Sequence, residues 1–221
     1  MIADDRAVPT SWKRQLSDSR KNHWQKVYAN KEPTDVSWYQ PIPEKSLQLI
    51  SSIGAQKSDP ILDVGGGAST LIDHLLDEGF TDISVLDISG KALERLRARL
   101  ADSAGRVNWI ESDVTEFEPP RSYALCHDRA VFHFLTDVAD RNKYIDVICR
   151  ALRSKGHLVL ATFGPQGPMR CSGLETRRYG IEQLQEMFGA RFELRSYDLD
   201  NHETPAGSIQ QFLYSWWQVR T

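Results

Sequence analysis

From about residue 44 onward, apolar positions alternate between a helical and a strand rhythm. The run 44-EKSLQLISSIG-54 predicts a helix that stops at Gly54. The short apolar stretch 60-PILDV-64 predicts a buried strand. The segment 69-STLIDHLLDEG-79 then places Leu71, Ile72, Leu75 and Leu76 on one helical face. The pattern repeats: strand 82–89 and helix 90–100, strand 107–114 and a shorter link through Pro119-Pro120, strand 122–128, the segment 130-AVFHFLTD-137, helix 140–156 and strand 157–163. A long loop, 164–180, leads to a helix at 181–189. Upstream, Trp24, Val27 and Tyr28 fall at helical spacing and predict a short amphipathic helix over 21–30. The stretch 36-VSWYQPIP-43 reads as a proline-punctuated loop, and the polar residues 1–20 are expected to be loosely held.

The end of the chain departs from this alternation. Two β-rich runs, 191–199 and 208–220, are joined by 200-DNHETPAG-207, which is too short to hold a helix. Such a link makes a hairpin, so an antiparallel pair is expected to close an otherwise parallel sheet. Regular strand–helix alternation implies an α/β doubly wound sheet whose ligands sit beyond the carboxyl ends of its strands. With no internal repeat, one domain at 46–221, preceded by an arm at 1–45, is the expected organisation.

Composition narrows the function classes. A chain of 221 residues suits one α/β domain, and a net charge of −3 argues against a nucleic-acid partner. No apolar run approaches the roughly 18 residues of a membrane helix. The N-terminus lacks an apolar signal core, and Cys126, Cys149 and Cys171 show no metal-ligand spacing. A cytoplasmic protein without a metal site is the expectation.

The chemistry gathers at 60-PILDVGGGASTLIDHLL-76. Gly65 and Gly67 match the first two glycines of a dinucleotide fingerprint, with Gly66 between them, but Thr70 occupies the third glycine position. Asp63 stands two residues before Gly65 at the strand's end. A carboxylate there repels a diphosphate by about 4 kcal/mol per charge pair at 4 Å and an effective dielectric of about 20. A ligand bearing an ammonium and a sulfonium reverses that sign, and S-adenosylmethionine is such a ligand. Asp87 ends the second strand, 20 positions after Gly67, at the spacing of a ribose-hydroxyl acceptor. Asp113 ends the third strand, where a carboxylate suits an adenine amino group and the Val114 backbone suits the ring edge. Helix and turn capping would place aspartates at the same positions.

These residues resemble the class I S-adenosylmethionine-dependent methyltransferases. The resemblance covers about residues 21–220 and rests on 61-ILDVGGGAST-70, 85-VLDIS-89, 112-SDV-114, 123-YALCHDRAVFHFL-135 and 155-KGHLVLATF-163. It implies a seven-stranded sheet of order 3-2-1-4-5-7-6 with strand 7 antiparallel, and makes 46–221 the catalytic domain and 1–45 its lid. It further implies that Asp63, Gly65, Gly66 and Gly67 cradle the methionine portion and that Asp87 and Ile88 hold the ribose. Asp113 and Val114 would hold the adenine, and the backbone carbonyl of His127 would face the methionine amino group. The run 127-HDRAVFHF-134 is similar to a bacterial group of small methyltransferases. Protein lysine methyltransferases usually carry Asp-Lys-Gly where this chain has Asp128-Arg129-Ala130.

Methyl transfer needs a base only when the acceptor arrives protonated. His127, Asp128, Arg129 and His133 are the candidate catalytic residues. Asp128 and Arg129 also suit an ion pair that shapes the pocket, and His133 suits a hydrogen-bonded core position. Trp38, Tyr39 and Gln40 suit a lid, and aromatic faces there favour a sulfonium. Phe163 and Arg170 are candidate substrate contacts beyond strand five. A small-molecule acceptor with a thiol, sulfide or similar soft atom is the preferred expectation, since no strong base is evident. A protein lysine acceptor, a non-catalytic cofactor-binding protein and an NAD oxidoreductase are the alternatives.

Overall fold

The computed structural model describes residues 10–221, with side chains from residue 17 onward. The first part of the stretch expected to be loose lies outside the described residues. From Thr10 the chain is helical, so the expected short helix is the second half of a longer one.

In chain order the elements are α1 (Thr10–Asn30), α2 (Glu44–Ile53), β1 (Ile61–Val64), α3 (Leu71–Asp77), β2 (Ile83–Asp87), α4 (Gly90–Leu100), β3 (Val107–Glu111), β4 (Tyr123–Arg129), α5 (Val138–Ala151), β5 (Leu152–Phe163), β6 (Arg170–Cys171), β7 (Leu174–Glu175), α6 (Ile181–Phe188), β8 (Phe192–Glu203) and β9 (Ile209–Val219). One seven-stranded sheet has the order β3-β2-β1-β4-β5-β9-β8. This is the expected 3-2-1-4-5-7-6 once the small β6–β7 hairpin, which lies within the 164–180 loop, is left out of the count. β9 runs antiparallel to both β5 and β8; β8 extends to Glu203 rather than ending near 199, which shortens its connection to β9 to residues 204–208, too few for a crossover.

β1 lies at the centre, hydrogen-bonded to β2 and β4, and all four of its residues are buried. A strand covered on both faces has no solvent side, which is why its sequence lacks alternation. One apolar layer packs Leu71, Ile72, Leu75 and Leu76 of α3 with Ile50 of α2 and Leu93 and Leu96 of α4. The other layer holds Tyr144 and Ile148 of α5 and Leu184 and Phe188 of α6. Full burial of such side chains contributes roughly 1.5–3 kcal/mol each.

Two further boundaries differ from the expectation. β5 begins at Leu152 rather than near 157. Arg153, Ser154 and Lys155 are exposed on that strand, and their polarity resembles a helix surface when read alone. Strand three stops at Glu111, so Asp113 lies just beyond it and caps a 3-10 turn, Val114–Glu116. Among the described residues no helix is long and apolar enough to cross a membrane.

Candidate functional site

The carboxyl ends of β1, β2 and β4 meet the turn after β3 at a cavity of about 720 Å³, counted out to its open mouth. Its floor is Val64, Gly65, Asp87, Ile88, Asp113 and Val114. Trp24 and Tyr28 of α1, with Trp38 and Phe134, form a roof. These rings meet mostly edge to face: Trp24 to Trp38 at 5.8 Å and to Phe134 at 5.0 Å, Tyr28 to Trp38 at 6.4 Å between centroids. A smaller cavity adjoins it, lined by Tyr39, Gln40, Ser46, Asp63, Gly66 and His127 among others. Trp38, Val64, Gly65 and Arg129 line both.

The glycine turn is shaped by contact rather than by flexibility. Gly65 has φ 72°, a left-handed conformation that costs a side-chain-bearing residue energy. A Cβ on Gly66 would run into the Asp63 carboxylate. That carboxylate is 1% exposed. Its Oδ1 lies 2.7 Å from His127 Nδ1, and His127 Nε2 lies 2.9 Å from Ser46 Oγ. The pairing follows from register, since Asp63 and His127 are Cα partners of neighbouring parallel strands. The other oxygen, Asp63 Oδ2, is buried without a hydrogen-bond partner. An unpartnered buried carboxylate oxygen costs on the order of 1–3 kcal/mol or more, and an ammonium would satisfy it.

Asp87 is also buried, and both its oxygens are used. Oδ2 accepts from Gly67 N at 3.0 Å and Oδ1 from Ser89 N at 2.7 Å. Burial pushes its pKa up to about 6, against the pull of those two N–H groups. Asp113 caps its turn through Thr115 N and Thr115 Oγ at 2.9 and 2.8 Å. Its Oδ2 is 2.8 Å from the Arg20 guanidinium of α1, which also meets Asp140 at 2.7 Å. Asp113 is therefore also a cap, and Asp87 also a turn acceptor for Gly67 N and Ser89 N, as capping and turn chemistry alone would place them.

The residues after strand four sort by sheet face. Asp128 and Arg129 are strand neighbours and point to opposite faces, so the suggested ion pair does not form. Asp128 is fully buried; Tyr144 Oη donates to it at 2.6 Å and Val131 N at 2.9 Å, and burial pushes its pKa up to about 6. It lines neither cavity and ties β4 to α5. Arg129 reaches over Ala161 to donate from Nε to Tyr214 Oη at 2.9 Å, and from Nη1 to the Trp38 carbonyl at 2.7 Å.

His133 does not suit a general base. Phe163 N donates to its Nδ1 at 3.1 Å, so the proton of the neutral ring sits on Nε2. Burial, then the nearby Arg129 charge, lowers its pKa to about 3. Phe163, a candidate substrate contact, stacks on His133 at 4.0 Å and is 1% exposed, away from both cavities. Arg170 is exposed and donates to the Gly173 carbonyl, lining a separate surface depression. Trp38, Tyr39 and Gln40 do line the cavities; Thr70 Oγ holds the Gln40 carbonyl at 2.8 Å. Among the described residues no group of three or more His, Cys, Asp or Glu is placed to hold a metal ion.

Ser46, Tyr144, Tyr214 and Arg20 were missed in the sequence. Only Trp24 and Tyr28 left a signal, and their i, i+4 spacing reads equally as core packing.

The chain is similar to known proteins in sequence and in fold. A methyltransferase domain family model matches residues 61–156. Nodulation protein S of Rhizobium tropici is 26% identical over 205 residues, covering 89% of this chain and 85% of that protein. The eEF1A lysine and N-terminal methyltransferase of Bos taurus is 26% identical over 140 residues; the match covers 62% of this chain but only 20% of that much longer protein. The fold is shared with the N-methyltransferase NodS of Bradyrhizobium japonicum, solved with S-adenosyl-L-homocysteine, at TM-score 0.65 and 15% identity over 94% of this chain and 98% of that one. The buried Asp63 oxygen, the glycine turn folded over it and Asp87 fit that cofactor class. Over residues 61–156 the chain is thus similar to methyltransferase domains, and its fold is that of solved methyltransferases.

Proposed function

We propose that this chain methylates a small acceptor that enters with its lone pair already free, a thiolate or similar soft nucleophile foremost. S-adenosylmethionine, when bound, supplies a methyl group on a sulfonium, a leaving group that needs no protonation. Asp63 would hold the ammonium through its unpartnered Oδ2, with His127 and Ser46 fixing the carboxylate's orientation. Asp87 and Ile88 would hold the ribose, and Val114 with Asp113 the adenine. The turn at Gly65–Gly67 lets the ligand approach the backbone. Residues 1–45 would act as the lid, their aromatic rings excluding water and facing a cation.

The observation that carries the acceptor class is the composition of the roof side. Among the described residues, Trp24, Tyr28, Trp38, Val131, Phe134 and Leu135 offer neither carboxylate nor imidazole there. The acidic groups lie on the floor, and His127 is already bonded at both ring nitrogens. With no carboxylate or imidazole on that side, a nucleophile whose lone pair reacts without prior deprotonation, such as a thiolate or a neutral amine, is favoured over an alcohol or a lysine ammonium. The likeness to an N-methyltransferase favours a second reading, a small amine bound in its neutral form. Incubation with methyl-labelled cofactor and a cell extract tests the proposal. Label is expected in small molecules, with transfer to a model thiol saturating at lower pH than transfer to an amine. Label confined to one protein band would contradict it.

A further inference from the structure

We infer that the acceptor is a planar acid, and that Arg129 is the residue that selects it by receiving its anionic group. The inference rests on the methyltransferase reading above. Arg129 stands where the two cavities meet. Its Nε and Nη1 each donate to a neutral oxygen, on Tyr214 and on the Trp38 backbone. Its guanidinium carbon lies 4.6 Å from the Phe212 ring centroid, again a neutral partner. Nη2 is buried and has no hydrogen-bond partner, and no carboxylate among the described residues pairs with this cation.

A guanidinium carries five N–H groups in a rigid fork suited to carboxylate and related planar anions. Here two of its nitrogens are committed, which fixes the plane of the fork and leaves the third to a ligand. The charge is not cancelled locally. After burial itself, Arg129 is the main influence holding the His133 ring in its uncharged form, and it acts in the same direction on His202. Arg20, the other cation lining the larger cavity among the described residues, differs in this respect, because Asp113 and Asp140 neutralise it. An isolated cation beside the binding place of a sulfonium is unfavourable until an anion joins it, so an acidic acceptor and the cofactor would assist each other's binding. The roof of Trp24, Tyr28, Trp38 and Phe134 supplies ring edges and faces for a flat aromatic or heteroaromatic body. Acid group on Arg129, ring under the roof: the two requirements are met from one cavity wall.

The test uses the full chain saturated with S-adenosylhomocysteine, and benzoate and benzyl alcohol as a charged and a neutral probe of similar shape, titrated calorimetrically. Benzoate is expected to bind about tenfold or more tightly than benzyl alcohol, the scale of one charge-assisted hydrogen bond. Arg129→Gln is expected to erase that ratio, and Arg129→Lys to retain part of it, while both bind S-adenosylhomocysteine within about threefold of the wild type; that binding also reports folding. Equal or undetectable binding of the two probes to the wild type overturns the inference, as does a ratio that survives Arg129→Gln. So does a roughly tenfold loss of S-adenosylmethionine affinity in Arg129→Gln with decarboxylated S-adenosylmethionine unaffected, since the guanidinium would then serve the cofactor's own carboxylate. Failure of the wild type to bind S-adenosylhomocysteine would instead remove the methyltransferase reading itself.

Discussion

Asp63 and Arg129 each keep one buried polar atom without a partner, on opposite signs of charge, and line the same small cavity. Both sit at strand ends, where the main chain positions them and nothing nearby neutralises them fully. Asp87 adds a titration. Its pKa in the folded protein is raised from 3.8 to about 6 by burial. Ligand hydroxyls donating to it would favour the ionised form, so binding would release a proton below that value. Affinity for S-adenosylhomocysteine is therefore expected to rise with pH up to about 6–7 and then flatten. Calorimetry across buffers of different ionisation enthalpy measures the released proton, and Asp87→Asn is expected to remove the slope. A flat profile in the wild type would contradict the ribose role. Asp63 and Asp87 were legible in the sequence because their position after a buried apolar run fixes their place. Ser46 and Tyr214 were not, because their bonds to His127 and Arg129 span 81 and 85 residues and no local pattern encodes them.

At the scale of elements, alternation of faces along β4 separates two jobs. His127 and Arg129 turn toward α2 and the cavities; Asp128 turns toward α5, where Tyr144 receives it. Reading 127-HDR-129 as a cluster missed this, since period-two geometry sends neighbours apart. Removal of the Tyr144 hydroxyl leaves a buried carboxylate short of a donor. Tyr144→Phe is expected to destabilise the fold by about 1–3 kcal/mol in urea denaturation near pH 8. The sign of the pH dependence follows from Asp128, whose folded pKa is raised from 3.8 to about 6: stability associated with it is fully present below 3.8 and is lost as pH rises through about 6. The variant's deficit should accordingly shrink near pH 5, where the group is protonated, with cofactor affinity unchanged. A deficit independent of pH would mean that Tyr144 acts through packing alone. The alternating helices and strands were readable element by element. The start of β5 was not, because its exposed polar residues carry no periodicity of their own.

For the whole molecule, the sheet order follows from the right-handed alternation of strand and helix, and the reversal of β9 from a connection too short for a crossover. What the chain-wide pattern did not reveal is how α1 crosses the cavity mouth. Gln25 Oε1 accepts from Ser89 Oγ and Lys91 N, both at 3.0 Å, and so docks α1 on the start of α4; Arg20 bridges to Asp113 and Asp140. These contacts set Trp24 and Tyr28 over the floor and make the proposed lid part of the binding wall. The central claim is one of charge: the turn after β1 receives a cationic aminoacyl ligand and rejects a diphosphate. Calorimetric titration of the wild type and Asp63→Asn with S-adenosylmethionine and with NAD tests it most directly. The wild type should bind S-adenosylmethionine at micromolar concentration and NAD not measurably, and Asp63→Asn should weaken S-adenosylmethionine by about tenfold or more, as loss of a charged hydrogen bond implies. Equal affinity of the two proteins for S-adenosylmethionine, or NAD binding by the wild type, would contradict it.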